Sequence, residues 1–311
     1  MSHEHTHLPE LTRQITRRMA ISLVITLVFV VVEVIAGLVA NSLALLTDAA
    51  HNFTDVLALG LSWFALRLAL RPSHSGKTYG YHRAGILVAL FNSTTLVLIA
   101  LGIFYEAYKR FISPPEIQAN ILIIVGILAV LVNLGTALLV RRGSENDLNV
   151  RSTFLHLMGD VLSTVGAVLA GIVIRFTGLN WLDPLVSVFI GVLILWNAWQ
   201  IIRESVDILM EATPADIDMQ ALIADICAVK GVRGVHDLHV WSINQSLRTL
   251  STHLLTDEQM VSGGTTIQSA VSVMLREKYG ISHATLQLEC VDCIQPDLYC
   301  DITASNHDRL H

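Results

Sequence analysis

Six apolar runs, at about 17–40, 43–68, 83–109, 117–140, 153–176 and 181–203, fill the first two thirds of this chain. Each can cross a hydrocarbon core of about 30 Å, which takes roughly 20 residues of helix. A segment in lipid must satisfy its backbone groups internally, so these runs commit the chain to a bundle of membrane helices. Composition agrees: 53% of the 311 residues are hydrophobic, 15% are charged, and the mean hydropathy is +0.58. Near Glu211-Ala212-Thr213-Pro214 the apolar runs shorten and charges return. The sequence therefore divides into an N-terminal His-containing tail (1–16), a six-helix transmembrane domain (17–211), a soluble domain (212–291) and a C-terminal tail (292–311).

Basic residues set the expected orientation. Arg13, Arg17 and Arg18 precede the first span, Arg71, Lys77 and Arg83 follow the second, and Arg141, Arg142 and Arg151 follow the fourth. The opposite side holds little beyond Lys109, Arg110 and Arg175, which places both termini in the cytoplasm of a multi-pass inner (plasma) membrane protein. The first apolar run is too long for a cleaved secretion signal. All four cysteines (Cys227, Cys290, Cys293, Cys300) fall in the soluble part, where a reducing cytosol favours metal ligation over disulfides. A net charge of −6 without a basic stripe argues against nucleic acid as a partner.

The second run contains "DAAHNFTD", and at 100° per residue Asp48, His51, Asn52 and Asp55 share one helical face. The fifth run contains "NVRSTFLHLMGDVLST", in which Asn149, Ser152, His156, Asp160 and Ser163 do the same. His-x-x-x-Asp thus occurs once on each of two membrane helices, as His51/Asp55 and His156/Asp160. A lone carboxylate at mid-membrane costs about 2.5–3.5 kcal/mol on insertion scales, so these four groups must face one another or water. Gathered around a divalent cation, two carboxylates neutralise its charge and four N and O donors complete a tetrahedron, which suits Zn²⁺. The plainer alternative is a polar network that only ties two helices together, for which Ser and Asn are much cheaper. Asp48 could orient its neighbours or relay protons, and Glu33 in the first run is either a relay or a protonated bundle residue. Asn92, Asn133 and Asn197 read as interhelical hydrogen-bonders.

In the soluble part the pattern predicts helix 216–229, strand 232–242, strand 247–256, helix 262–279 and strand 283–291, with Gly263-Gly264 marking a loop and Gly280 a helix stop. This αββαβ order suggests a two-layer α+β domain with its helices on one face of the sheet. Its strands carry His236, His239, His253, His283 and Glu289. Strict alternation puts His236 and His239 on opposite faces and His283 with Glu289 on one, and ordinary half-buried strand histidines are the alternative to a metal site. Cys290-x-x-Cys293 could form a soft metal clasp; it follows a strand, whereas a thioredoxin-like redox pair opens a helix. His3, His5 and His7 could gather cations, although short His tracts also occur incidentally.

Taken together, the six runs, the paired His-x-x-x-Asp, "SLALLTDAAHNFTD" and the αββαβ domain with "VHDLHVW" resemble the cation diffusion facilitator family, in particular its bacterial zinc-exporting, cobalt–zinc–cadmium resistance branch. The resemblance spans essentially the whole chain. It implies a homodimeric metal/proton antiporter with a transport site at His51, Asp55, His156 and Asp160. It further implies a ferredoxin-like cytosolic domain that pairs two protomers and binds regulatory zinc, with His236, His253, His283 and Glu289 as candidate ligands and Cys290 and Cys293 as helpers. Zinc would be cargo and regulator, and no catalytic cofactor is expected. Two departures stand out. "RRGSENDLNV" lacks the His-rich loop of many vesicular zinc transporters, and "RPSHSGKTYGYHR" offers only His74 and His82 where some relatives bind zinc through Asp and His.

The expected activity is proton-driven Zn²⁺ efflux by alternating access, with Cd²⁺ or Co²⁺ as further substrates. A membrane metalloenzyme is the main rival, but the chain has no His-Glu-x-x-His, and four protein ligands leave no open position for catalytic water. A membrane metal sensor without transport is the second rival, and no signalling domain is evident to support it.

Overall fold

The computed structural model describes the backbone of residues 7–141, 148–257 and 261–290, and the side chains of 23–138, 157–257 and 263–289. Six long helices come first: α1 (His7–Ala40), α2 (Leu43–Ala69), α3 (Ala84–Ile112), α4 (Ala119–Arg141), α5 (Leu148–Thr177) and α6 (Leu182–Leu209). Then follow α7 (Met219–Cys227), β1 (Val232–Ser242), β2 (Arg248–Thr256), α8 (Val261–Tyr279) and β3 (Ile281–Cys290). Among the described residues, five helices are long and apolar enough to cross a membrane: α1, α3, α4, α5 and α6. The remaining long helix, α2, falls short because Asp48, His51, Asn52 and Asp55 interrupt its apolar run. The chain forms two compact units, one from residues up to Phe64 with Val88–Ile202, the other from Ala65–Leu87 with Arg203 onward.

In the first unit α4 packs along both α1 and α5. Small residues line these contacts: Ala36, Ala40 and Ala119 share a buried cluster with Leu45, Leu122, Val125 and Ile174. A Cβ added at Gly126 would stand 2.6 Å from Val168 Cγ2, so only glycine permits this α4–α5 approach. Lipid tails are as apolar as Leu, so helices in a bilayer gain from such close packing rather than from hiding apolar surface. Leu96 and Ala100 of α3 meet Ile190, Ile194 and Ala198 of α6 in a second cluster. The expected asparagine contacts differ: Asn92 and Asn133 are buried, but Asn92 Oδ1 and Asn133 Nδ2 have no hydrogen-bond partner, and Asn197 is exposed.

The start of α2 is fixed by a carboxylate from another helix. Asp183 of α6, fully buried, accepts from the backbone N–H of Leu43 at 2.7 Å and of Ala44 at 3.3 Å, and from the Ser42 hydroxyl. These are N–H groups that a helix cannot satisfy itself, and a negative charge at that end also complements the helix dipole. Ser42 Oγ accepts in turn from Leu45 N–H at 3.3 Å. Arg110 of α3 closes the arrangement, donating to the Asn41 carbonyl and standing 4.0 Å from Asp183.

The second unit contains a three-stranded sheet in the order β1-β2-β3, with β1 and β2 antiparallel and β2 and β3 parallel. One face carries Leu238, Val240, Leu250 and Leu254, which pack against Leu222 and Ile226 of α7 and Val271 and Leu275 of α8. α7 starts later than its sequence pattern suggests because Asp218 caps it, accepting from Gln220 and Ala221 N–H. Gly263-Gly264 lies inside the first turns of α8 rather than in a loop, and a Cβ at Gly264 would stand 2.5 Å from Leu288 Cδ1 on β3. Gly264 is thus a packing device. α8 stops where expected: Gly280 takes a φ of 66°, a left-handed value that glycine adopts without strain.

Asp183→Ala leaves the Leu43 and Ala44 N–H groups buried without acceptors, at about 1–3 kcal/mol for each unsatisfied group. Thermal unfolding of the full-length protein in detergent should show a clear fall in midpoint for this variant. Asp183→Asn, which keeps an accepting oxygen, should fall less.

Candidate metal centres

Two groups of metal-ligating side chains come together among the described residues: His51, Asp55 and Asp160 in the first unit, and His236, His253 and Glu289 in the second. In each, one ligand atom per residue lies within 4.8 Å of the others.

The first group is built by helical spacing. His51 and Asp55, one turn apart on α2, present Nε2 and Oδ2 at 3.7 Å, and Asp160 of α5 brings Oδ1 to 3.1 Å from the same Nε2. Tetrahedral zinc at about 2.0–2.1 Å from N and O ligands sets those atoms about 3.3 Å apart, so both distances bracket the required spacing. His51 and Asp160 are buried, whereas the Asp55 side chain is 34% exposed and gives the group an accessible edge. Around them, Thr54 donates to the His51 carbonyl and Ser163 and Thr164 donate to the Asp160 carbonyl, tying hydroxyls to their own helix rather than to the ligands. His156 lies on α5 one turn before Asp160, and its side chain is outside the described residues.

The second group sits on the sheet face opposite α7 and α8. Glu289 joins two imidazoles: Oε2 meets His236 Nε2 at 2.8 Å, and Oε1 meets His253 Nδ1 at 2.9 Å. The two rings are 5.0 Å apart and nearly perpendicular, and Gln287 Nε2 donates to Glu289 Oε1. His236 Nδ1 is buried without a partner, so its Nε2 carries the whole polar engagement of that ring. Two imidazole nitrogens and a carboxylate around one point are a donor set that fits zinc.

A bulge makes this face and overturns the parity expected for β1. His236 pairs with His253 and His239 pairs with Ser251, so three residues on β1 span two on β2. The extra residue returns His239 to the face that His236 occupies. Asp237 is the residue at the bulge, with a φ of 50° that Asp tolerates better than most. Its carboxylate meets His239 Nε2 at 3.1 Å and His253 Nε2 at 3.5 Å, so His253 has acidic oxygens at both ring nitrogens. Sequence reasoning did not single out Asp237; an Asp between two strand histidines was the available signal.

His283 shares that face with Glu289 but stands six residues away on β3, about 20 Å at the usual strand rise. It pairs with Thr249 and meets the Tyr79 ring edge-on at 6.0 Å, beside a cavity of about 600 Å³ that Arg71 and His82 also line. In one protomer it is therefore apart from His236, His253 and Glu289. The side chains of Cys290 and His7, and Cys293, Cys300, His3 and His5, lie outside the described residues. Cys227 ends α7, on the helix side of the sheet, and burial pushes its thiol above the ordinary value, away from the thiolate that metals take.

The sequence comparisons bear on both units. The cation efflux transmembrane domain family matches residues 19–210, and the cation efflux protein cytoplasmic domain family matches residues 214–291. The cadmium, cobalt and zinc/H(+)-K(+) antiporter of Bacillus subtilis (strain 168) is 39% identical over 254 residues, 81% of this chain and 81% of that protein. The zinc transporter ZitB of Yersinia pseudotuberculosis serotype I (strain IP32953) is 37% identical over 280 residues, 88% of each. A solved structure of the metal-bound C-terminal domain of the CzcD transporter from Cupriavidus metallidurans is 29% identical; it covers 24% of this chain and 99% of that one, with a TM-score of 0.22.

Glu289 is the joint between the two imidazoles, so Glu289→Ala should remove one zinc per protomer from the full-length protein, read by calorimetric titration. At zinc 100-fold above its dissociation constant, site occupancy adds about 2.7 kcal/mol of stability, and that increment should vanish in the variant. An unchanged zinc count would exclude this cluster as a site.

Proposed function

This chain belongs to the cation efflux family, and on that premise we propose that it exports Zn²⁺ from the cytoplasm in exchange for protons moving inward. The observation that carries the reading is the cluster of His51, Asp55 and Asp160 between α2 and α5. His156, one turn from Asp160, completes a set of two imidazoles and two carboxylates. Two carboxylates cancel the charge of a divalent ion, and nitrogen donors favour Zn²⁺ over Mg²⁺ or Mn²⁺, while Cd²⁺ and Co²⁺ remain acceptable. Relatives named for zinc, cadmium and cobalt transport support that substrate range. Family membership favours transport over a metalloenzyme or a sensor without flux.

In this reading all six long helices span the inner membrane, with α2 tolerated there because its polar face points at α5 rather than at lipid. Both termini are cytoplasmic, the transmembrane domain covers 17–211, and the ferredoxin-like domain covers 212–291. Facing inward, ionised Asp and neutral His take up the ion. Facing outward, protons compete for the same atoms and release it, and imidazole suits this exchange because its unperturbed pKa of about 6.5 lies near the working pH. The cytosolic domains pair two protomers, and zinc held by His236, His253 and Glu289 draws that pair into the transporting arrangement. His283 reaches such a site only from elsewhere than the cluster of one protomer, and Cys290 and Cys293 are proposed as helpers.

Zinc-driven proton flux in proteoliposomes tests the proposal. Wild-type protein should acidify or alkalinise the lumen according to the direction of the zinc gradient, and Asp55→Ala and Asp160→Ala should each abolish the signal while still inserting. Flux that survives in both variants would make the polar faces structural.

A further inference from the structure

Besides Asp183, which caps α2, two described carboxylic acids lie buried in the first unit and take no part in its metal cluster: Glu33 of α1 and Asp48 of α2, 0% and 1% exposed. Their carboxyl groups lie against one another. Asn52 Nδ2 donates to Glu33 Oε2 at 3.3 Å, and Thr164 Oγ1 donates to Asp48 Oδ2 at 3.1 Å. The second oxygen of each, Glu33 Oε1 and Asp48 Oδ1, is buried and meets no donor. The other titratable groups acting on the pair are His51 of α2 and Asp160 of α5.

An ionised carboxylate has only acceptors to offer, so two of them in contact lack the hydrogen that would join them. A single proton supplies it. Two buried oxygens without donors therefore point to a ligand, and a proton is the one that needs no further space. As mere helix glue the pair would be an expensive choice, since Ser, Thr and Asn bind membrane helices together without charge.

We propose that Glu33 and Asp48 form a proton-binding site of this exporter, separate from the metal ligands, which holds a proton while the metal site is empty and releases it when Zn²⁺ arrives. The inference rests on the export reading above. Its link to the metal is structural: Asp48 precedes His51 by three residues, and the one Thr164 hydroxyl hydrogen is shared between Asp48 Oδ2 at 3.1 Å and the Asp160 carbonyl at 2.8 Å. A divalent charge beside Asp48 favours the ionised pair, and a proton on the pair in turn weakens metal binding. The proton leaves as solvated H⁺, and the pair itself makes no bond to the metal.

Calorimetry of the full-length protein in detergent, in two buffers of different ionisation enthalpy, counts protons released per Zn²⁺ bound. Glu33→Gln should release about one proton fewer per protomer than wild type at unchanged zinc stoichiometry. Equal proton release would overturn the proposal. Should Glu33→Gln no longer bind zinc, the wild type decides: zinc-induced infrared difference spectra should lose a protonated-carboxyl C=O band, and spectra without that loss would overturn it. Neither measurement needs transport, so a wild type that binds zinc without moving protons across vesicles would sink the export reading and leave the proton count to judge the pair.

Discussion

Ionised groups are costly in hydrocarbon, by about 2.5–3.5 kcal/mol for a carboxylate at the centre of a spanning helix, and the first unit is arranged around that cost. Among the described residues, the buried acids of α1, α5 and α6 all turn toward α2. Glu33 comes from α1 to meet Asn52 and Asp48, Asp160 comes from α5 to meet His51, and Asp183 comes from α6 to meet the N–H groups at the start of the helix. Among the described residues, α2 is thereby the long helix without a continuous apolar stretch long enough to span, and it receives polar contacts from α1, α5 and α6. Along that polar face Asp48, His51 and Asn52 are buried against neighbouring helices, and Asp55 keeps an exposed edge. The same contacts let a change at one acid be felt at another.

The two units solve the problem of gathering ligands differently. On α2 and α5 the helical repeat alone aligns residues one turn apart, so ordinary geometry suffices. On the sheet, alternation would have separated His236 from His239, and a single inserted residue at Asp237 restores them to one face. Bulges of this kind re-aim side chains at functional positions, and here the bulge also brings Asp237 itself against His253.

Periodicity made much of this legible beforehand. Long apolar runs and the 3.6-residue repeat marked the six long helices and put His51, Asp55 and Asp160 on facing surfaces, because those features depend only on local geometry. The strand boundaries of β1 and β2 also followed from pattern. What pattern could not supply were consequences of tertiary contact. The bulge at Asp237 reverses a parity argument, Gly263-Gly264 reads as a loop until Leu288 is seen packing against Gly264, and the Asp183 cap joins residues 140 positions apart. The polar face of α2 illustrates the tension: the residues that mark it as functional also lower its apolar character below that of its neighbours.

Metal held between α2 and α5 is what the proposed export depends on most. Anomalous scattering at the zinc edge from crystals of the zinc-loaded protein tests it directly. A peak is expected within about 2.0–2.2 Å of His51, Asp55 and Asp160 atoms, with His156 as the fourth ligand. A zinc-loaded protein whose only peaks lie on the cytosolic sheet, with His51 still hydrogen-bonded to Asp160, would contradict it.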